Sequence, residues 1–400
     1  MHNIKTMNET NMYSLDEGTK RLCRAALTDR PSKFNFAQAL KIARPQNKDS
    51  TINNTAAFMS RLYRVIGPDL EAFEDEDMVQ HAVETVRGTE TNYWAALCVY
   101  MPILGLDGLP VNKFVHDKSV EAQRARLEVN KQQDLRGNES VNYVFPVDIK
   151  KNHLLTIERE KMYPDDIQAH QQRLLYDFWT IMGPRTCVFR LDFITDCTLL
   201  FHDQLDNFDT HSRNFIQFSP VPTRHPAKLH LNNFKNIKWQ GAKVIELPLE
   251  LTRILAESYN KFPRRYLFVR PRKGGREPIS SPDASKMLKN SWLLGPNKPG
   301  ADILRSVFIT CFLINEPRLN ERLAYFDRSN TSIGMAEVHY NKTSEDVRAR
   351  MLREAPIVAD GWQGVTLTDE EKALARRTRK RNARGDFVST SEETETDVVG

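Results

Sequence analysis

No stretch of the chain approaches the ~18 uninterrupted apolar residues of a membrane span. The opening MHNIKTMNETNMYSLDEG also lacks the apolar centre and small-residue cleavage site of a secretory signal. A secreted or membrane protein is therefore not expected. Cysteine is scarce: five residues, Cys23, Cys98, Cys187, Cys197 and Cys311, scattered and without a CxxC pair. An odd, scattered set excludes a disulfide framework and offers no zinc-like spacing, so buried thiols in a reducing compartment are expected. The ten histidines form no HExxH or comparable helical pair, so no metal and no other cofactor is expected. No solenoid-like repeat is visible. What remains is globular text, 40 % apolar and 27 % charged, whose 400 residues suffice for two or three domains.

The formal net charge of +5 is modest but uneven. Residues 1–150 carry −1, 151–340 carry +7 and 341–400 carry −1, and 251–300 alone carry +8. One basic segment in a near-neutral chain points to a polyanion met at one place. A basic surface that only aids solubility is the plainer reading.

Residues 1–49 read as a polar N-terminal extension with helices over Asp16–Leu27 and Phe36–Ala43. Helical spacing then recurs through Phe58, Leu62, Val65 and Ile66, and through Met78, Ala82, Val83 and Val86 behind the acidic opening Glu74–Asp77. Carboxylates in a first turn favour the helix dipole, which accounts for that acidic run. Tyr93, Leu97, Tyr100 and Met101 mark another helix, and Asp117–Gln133 a further one, so residues 50–150 read as an all-helical domain. A long helix over Pro164–Met182 stops at Gly183-Pro184. Strand text follows, weakly over Val188–Ile194 and strongly in KLHLNNFKNIKWQGAKVIELP, which reads as a hairpin turning at Trp239-Gln240-Gly241. Further helices are expected at Glu250–Tyr259, Pro282–Trp292, Asp302–Leu313, Arg318–Phe326, Ile333–Asn341 and Asp346–Arg353. Residues 151–355 thus read as a mixed domain, with RPRKGGREPISS as an exposed loop. Lys372–Arg384 carries seven positive charges and no acid, and Asp386–Asp397 five acids, so 366–400 reads as a disordered tail.

Cleaving a phosphodiester without a metal needs a nucleophile, cations on the non-bridging oxygens and a proton donor for the leaving oxygen. Five stretches supply such groups in chain order: Gly183-Pro184-Arg185 at a helix end, Lys235 in LNNFKN, Arg305 in ADILRSVFIT, Arg328 in FDRSNTS and Tyr340 in AEVHYNK. Together they resemble the tyrosine recombinases, the phage-integrase family of DNA breaking and rejoining enzymes, and look closest to the divergent branch of Crypton-type transposons and related eukaryotic viral elements. LLYDFWTIMGPR is similar to the first box, in which two prolines and an arginine follow an apolar helix; Gly183 replaces one proline. LHLNNFKNIKWQGAKVIELPLELTRILAESYNKFPRRYLF is similar to the lysine hairpin and the helix after it. LRSVFIT resembles the "LRH-x-F-x-T" helix start, VHYNK the tyrosine box, and TNYWAAL a segment of the helical core-binding domain. The likeness covers roughly 165–345 for the catalytic part.

The resemblance implies a mainly α fold with a small antiparallel β-sheet. An all-α core-binding domain and an α+β catalytic domain would form a C-shaped clamp on double-stranded DNA. It implies that Tyr340 attacks a phosphate to give a 3′-phosphotyrosyl link, that Arg185 and Arg305 clamp the non-bridging oxygens, and that Lys235 protonates the leaving 5′-oxygen. Lys238 and Lys243 are alternatives in the same hairpin, and Arg190 competes for the first box. Arg264, Arg265, Arg270, Arg272, Lys273 and Arg276 would contact the phosphate backbone. A homo-tetramer on DNA, integration or transposition of a mobile element, and a nuclear site of action are further expectations; the run Arg376–Arg381 reads as a nuclear signal, a DNA arm or plain tail. Two positions depart from the family pattern. Asp302 stands where His, Lys or Asn is usual, and Arg328 where His or Trp is usual; Ser306 also replaces a common histidine. Those departures keep open a recombinase-derived DNA-binding protein whose chemistry has decayed. Single-strand nicking and closing, as by a type IB topoisomerase, is the third reading.

Overall fold

The computed structural model describes residues 15–27, 31–67, 69–132, 135, 138–184, 186–201, 208–235, 237–270 and 276–376, with the backbone alone at 138 and 239. It divides into two compact units, residues 1–132 and 133–400. No described helix is long and apolar enough to cross a membrane.

The first unit is helical throughout: α1 (Glu17–Ala26), α2 (Lys33–Ala43), α3 (Asp49–Ile66), α4 (Glu76–Thr85), α5 (Glu90–Leu104) and α6 (Pro110–Lys131). Its starts follow local chemistry. Asp16 accepts from the Thr19 amide, Ser32 and Asn35 cap each other reciprocally, and Asp75 accepts from the amides of Asp77 and Met78. The acidic run therefore supplies a cap and first-turn carboxylates. Helix α5 runs through the middle of the core, burying Tyr93, Trp94, Leu97, Tyr100 and Met101. It ends at Gly105, whose φ of +79° suits glycine. The Tyr100 hydroxyl donates to the Phe36 carbonyl at 2.7 Å, and Cys23, Phe36 and Leu40 are buried in the same core. Helices α1 and α2, read from sequence as part of an extension, are thus part of this unit. Helix α6 begins well before Asp117 because Pro110 at its first position carries a preset φ and lacks the amide a helix start leaves unpaired.

The second unit opens with α7 (Asn138–Asn142) and α8 (Pro146–Met162), then α9 (Ile167–Asp177), which continues as a π turn over Phe178–Met182. A helical turn, α10 (Leu191–Ile194), precedes β1 (Thr198–Leu200), β2 (Phe215–Gln217) and β3 (Lys228–Leu231); α11 (Ile237–Gln240) separates β3 from β4 (Lys243–Glu246). The rest is helical: α12 (Leu249–Lys261), α13 (Ser281–Asn290), α14 (Ala301–Ile314), α15 (Leu319–Arg328), α16 (Ile333–Met335) with a π turn over Ala336–Tyr340, α17 (Glu345–Ala359) and α18 (Asp369–Ala375). Trp179 stacks on Phe308 in the core, and Trp362 meets Phe308 edge-on.

Three sequence expectations change. The sheet is mixed, because β1 and β2 run parallel while β2–β3 and β3–β4 run antiparallel. The expected strand over Val188–Ile194 is irregular and then helical; its apolar side chains enter the core singly from a loop. The β3–β4 hairpin exists, but its first strand stops at Leu231 and a helical turn occupies the connection, Gly241 closing it at a φ of +68°. The tail also starts later than 366. Thr368 and Glu371 cap α18 reciprocally, Glu371 pairs with Lys151 at 2.7 Å, and Ala375 is buried. Residues 377–400 lie outside those described.

A buried polar chain ties α8, α9 and α12 together. The Ser258 hydroxyl and the Glu160 carboxylate bond opposite nitrogens of His170 at 2.6 and 2.7 Å. Lys261 and Arg173 reach the same carboxylate at 2.9 and 3.3 Å. Burial opposes the charge on Glu160, but hydrogen bonds from His170 and Lys261 and the Arg173 charge outweigh it and hold the pKa down to about 2. A depressed carboxylate pKa stabilises the fold above its ordinary value of 4.5, and that stabilisation is lost as the pH falls toward 2. Glu160→Gln should therefore cost on the order of 3 kcal/mol at pH 7. The gap to wild type in urea unfolding should close between pH 4.5 and about 2.

Candidate active site

Arg305 lies in the second turn of α14, where the helix turns its inner face to the core; the residue is 2 % exposed. Among the described residues its guanidinium hydrogen-bonds carbonyl oxygens alone: Val188 at 3.3 Å, Phe189 at 3.5 Å and Ser329 at 3.4 Å. Charge-assisted hydrogen bonds ordinarily run to about 2.7–2.9 Å, so all of these are long. The Nε has no hydrogen-bond partner among the described residues. A buried cation with slack contacts and a spare donor is poised for an anion.

The Tyr340 ring faces it, 5.0 Å from the Arg305 Cζ to the ring centroid. Tyr340 is half-buried at the end of the π turn, and its backbone is anchored rather than its hydroxyl. Ser306 and Thr310, one turn apart on α14, donate to the Tyr340 carbonyl, and Thr310 accepts from the Lys342 amide at 2.9 Å. Sequence reasoning noted Ser306 as a departure and passed over Thr310; the threonine closing LRSVFIT was the available signal.

Arg328 ends α15. Its Nε donates to the Thr186 carbonyl at 2.8 Å, the Tyr325 hydroxyl donates to the Gly183 carbonyl at 2.6 Å, and Ser329 Oγ accepts from the Val188 amide at 3.0 Å. Burial pushes the Cys187 thiol up to about 12 although Arg328 and Arg305 pull it the other way, which marks both cations as its neighbours. Asn330 sits beside Ser329 with a φ of +54°; its amide oxygen and nitrogen are buried without partners among the described residues. Asparagine is among the few non-glycine residues that tolerate that backbone.

The structure brings Arg305, Arg328 and Tyr340 into one neighbourhood; Arg185 lies outside the described residues, between the held carbonyls of Gly183 and Thr186 in sequence. Asp302 is exposed in the first turn of α14. Lys235 is exposed in the β3–β4 connection, its amide bonded to Asp192, and no described residue pairs with its ammonium. Lys243 on β4 is the lysine tied to the arginine-bearing helix, its ammonium 2.7 Å from Asp327 Oδ1. Arg190 pairs with Asp192 at 3.0 Å.

Of the expected DNA contacts, Arg264 is corrected. It is buried, donates to the carbonyls of Ser258, Phe262 and Leu267 and to Ser258 Oγ, and is pulled down to about 10 by that burial. It holds the end of α12 and is turned inward. Arg270 is bound to Asp283 at 2.8 Å. Arg265 and Arg276 are exposed, and Arg272 and Lys273 lie outside the described residues. Among the described residues no cluster of three His, Cys, Asp or Glu converges.

No protein-family model and no curated protein matches the chain. Among solved structures, the crystal structure of XerA recombinase is similar over 81 % of this chain and 98 % of that chain, at 11 % identity and a TM-score of 0.35.

Proposed function

We propose that the chain breaks and rejoins DNA strands through a covalent link to Tyr340, as an enzyme of the tyrosine-recombinase kind, serving site-specific recombination or integration of a mobile element. The observation that carries the reading is the buried Arg305 guanidinium, held among the described residues by long carbonyl contacts, with the Tyr340 ring 5.0 Å away. In this reading the Tyr340 hydroxyl loses its proton as it bonds to phosphorus, and the bond from phosphorus to the 5′-oxygen breaks. Arg305 and Arg185 neutralise charge growing on the non-bridging oxygens, with Arg328 beside them. Phosphodiester energy is kept in the tyrosyl link, so rejoining consumes no nucleotide and no metal takes part. Strand exchange on paired sites implies a tetramer assembled on DNA, and a nuclear site of action belongs to the same reading.

The test is capture. Nicked duplexes carrying the candidate terminal repeat are incubated with the chain, with and without EDTA, and denatured. A protein–DNA adduct insensitive to EDTA is expected; binding without an adduct under any condition overturns the reading. That second outcome is the decayed DNA-binding protein, which the Arg328 Nε spent on the Thr186 carbonyl favours.

Lys235, whose ammonium no described residue pairs with, fits the proton donor better than Lys243, which Asp327 holds. Lys235→Ala should slow adduct formation roughly 100-fold or more. A 5′-bridging sulfur in the substrate leaves without needing that proton, so it should restore most of the rate. Full activity of Lys235→Ala on ordinary DNA would move the role to Lys243.

A further inference from the structure

The segment after Tyr340 is held by residues about two hundred positions earlier in the chain. Lys342 is buried, and its ammonium lies 2.9 Å from the Glu139 carboxylate on α7. Four residues on, the Tyr143 hydroxyl is buried near Thr310 and Ser306, the two side chains that hold the Tyr340 carbonyl, and has no hydrogen-bond partner among the described residues. Burial drives the Tyr143 phenol pKa upward, so the buried ring stays neutral. Residues 341–344 have no regular structure of their own. Among their restraints are the Asn341 amide on the Ala336 carbonyl, the Lys342 amide on Thr310, the Arg348 amide on the Ser344 carbonyl, and the Glu139–Lys342 pair.

We propose that Glu139 is a positioning residue for Tyr340: its ion pair with Lys342 fixes the strand-like exit from the π turn and so sets where the phenol stands over Arg305. The proposal rests on the reading of Tyr340 as nucleophile. A carboxylate on a half-exposed turn suits the task, because it reaches a nearly buried ammonium without being buried itself; the side chains are 37 % and 7 % exposed. Loosening the exit moves the nucleophile, and a misplacement of about 1 Å costs on the order of 100-fold in rate.

The test compares Glu139→Gln and Glu139→Asp in the full chain. Hydrogen exchange is read without DNA at the amides of Asn341 and Lys342, and single-turnover adduct formation is read on the nicked duplex the wild type captures. Glu139→Gln should raise exchange at those amides about tenfold or more and slow the single-turnover step roughly 100-fold at unchanged DNA affinity. Glu139→Asp, which keeps the charge, should recover most of both. Wild-type exchange and rate in Glu139→Gln overturn the proposal, as does a loss confined to DNA affinity. A wild-type chain that forms no adduct fails the underlying reading instead, and the DNA-free exchange comparison tells the two failures apart.

Discussion

Tyr340→Phe is expected to form no covalent adduct with any nicked duplex while keeping its melting temperature and its affinity for DNA. The hydroxyl has no hydrogen-bond partner among the described residues, and the ring contact with Arg305 survives in phenylalanine. Removing one oxygen that no described residue hydrogen-bonds changes stability by about 0.5 kcal/mol or less. A tyrosine that served only as packing would give the same stability result with an unchanged adduct. Gel analysis of denatured reactions beside a thermal scan therefore decides between chemistry and packing at this position. An adduct that persists in Tyr340→Phe would place the nucleophile elsewhere in the chain.

Arg305→Met should do the opposite to stability. The wild-type guanidinium is buried, receives no carboxylate among the described residues and rests on carbonyls at 3.3–3.5 Å. Desolvating a cation under those conditions is costly, and an apolar side chain of similar length fills the same space without that cost. We expect Arg305→Met to be more stable by about 1–4 kcal/mol and to form adduct about 100- to 1,000-fold more slowly, the usual loss of one oxyanion donor. Sulfate supplies the missing anion, so it should raise the melting temperature of the wild type and not of the variant. A variant that is destabilised, or that responds to sulfate like the wild type, would mean that Arg305 is a packing element rather than an anion receptor.

The helices of the first unit are legible because their apolar residues recur at helical spacing, and because α1, α2 and α4 start on Asp or Ser caps. Helix α8 was not. It turns Asn152, His153, Thr156 and Glu160 into the interior, where each is hydrogen-bonded, so its sequence lacks an apolar stripe. The parallel pairing of β1 with β2 is not legible because both strands are three residues long and the described part of the intervening chain carries no helix to signal a crossover. Within the site, Arg305, Arg328 and Tyr340 were each readable from short boxes. Their supports were not, since Ser306, Thr310 and Glu139 act on backbone and on Lys342 across 30 to more than 200 positions of sequence. Arg264 misled for a related reason: a basic run records charge, and only folding shows which member turns inward to cap a helix.

The strand order leaves β4 as the outer strand of the sheet beyond β3. Such a strand offers unpaired backbone groups to any neighbouring chain, and Val244 on it is exposed. Its four residues are bracketed by Lys243 and Glu246, and Lys243 is tethered to Asp327. Short length and flanking charge make poor templates for intermolecular pairing, so Lys243, tethered to the helix that carries Arg328, also guards the molecule against aggregating through its own sheet.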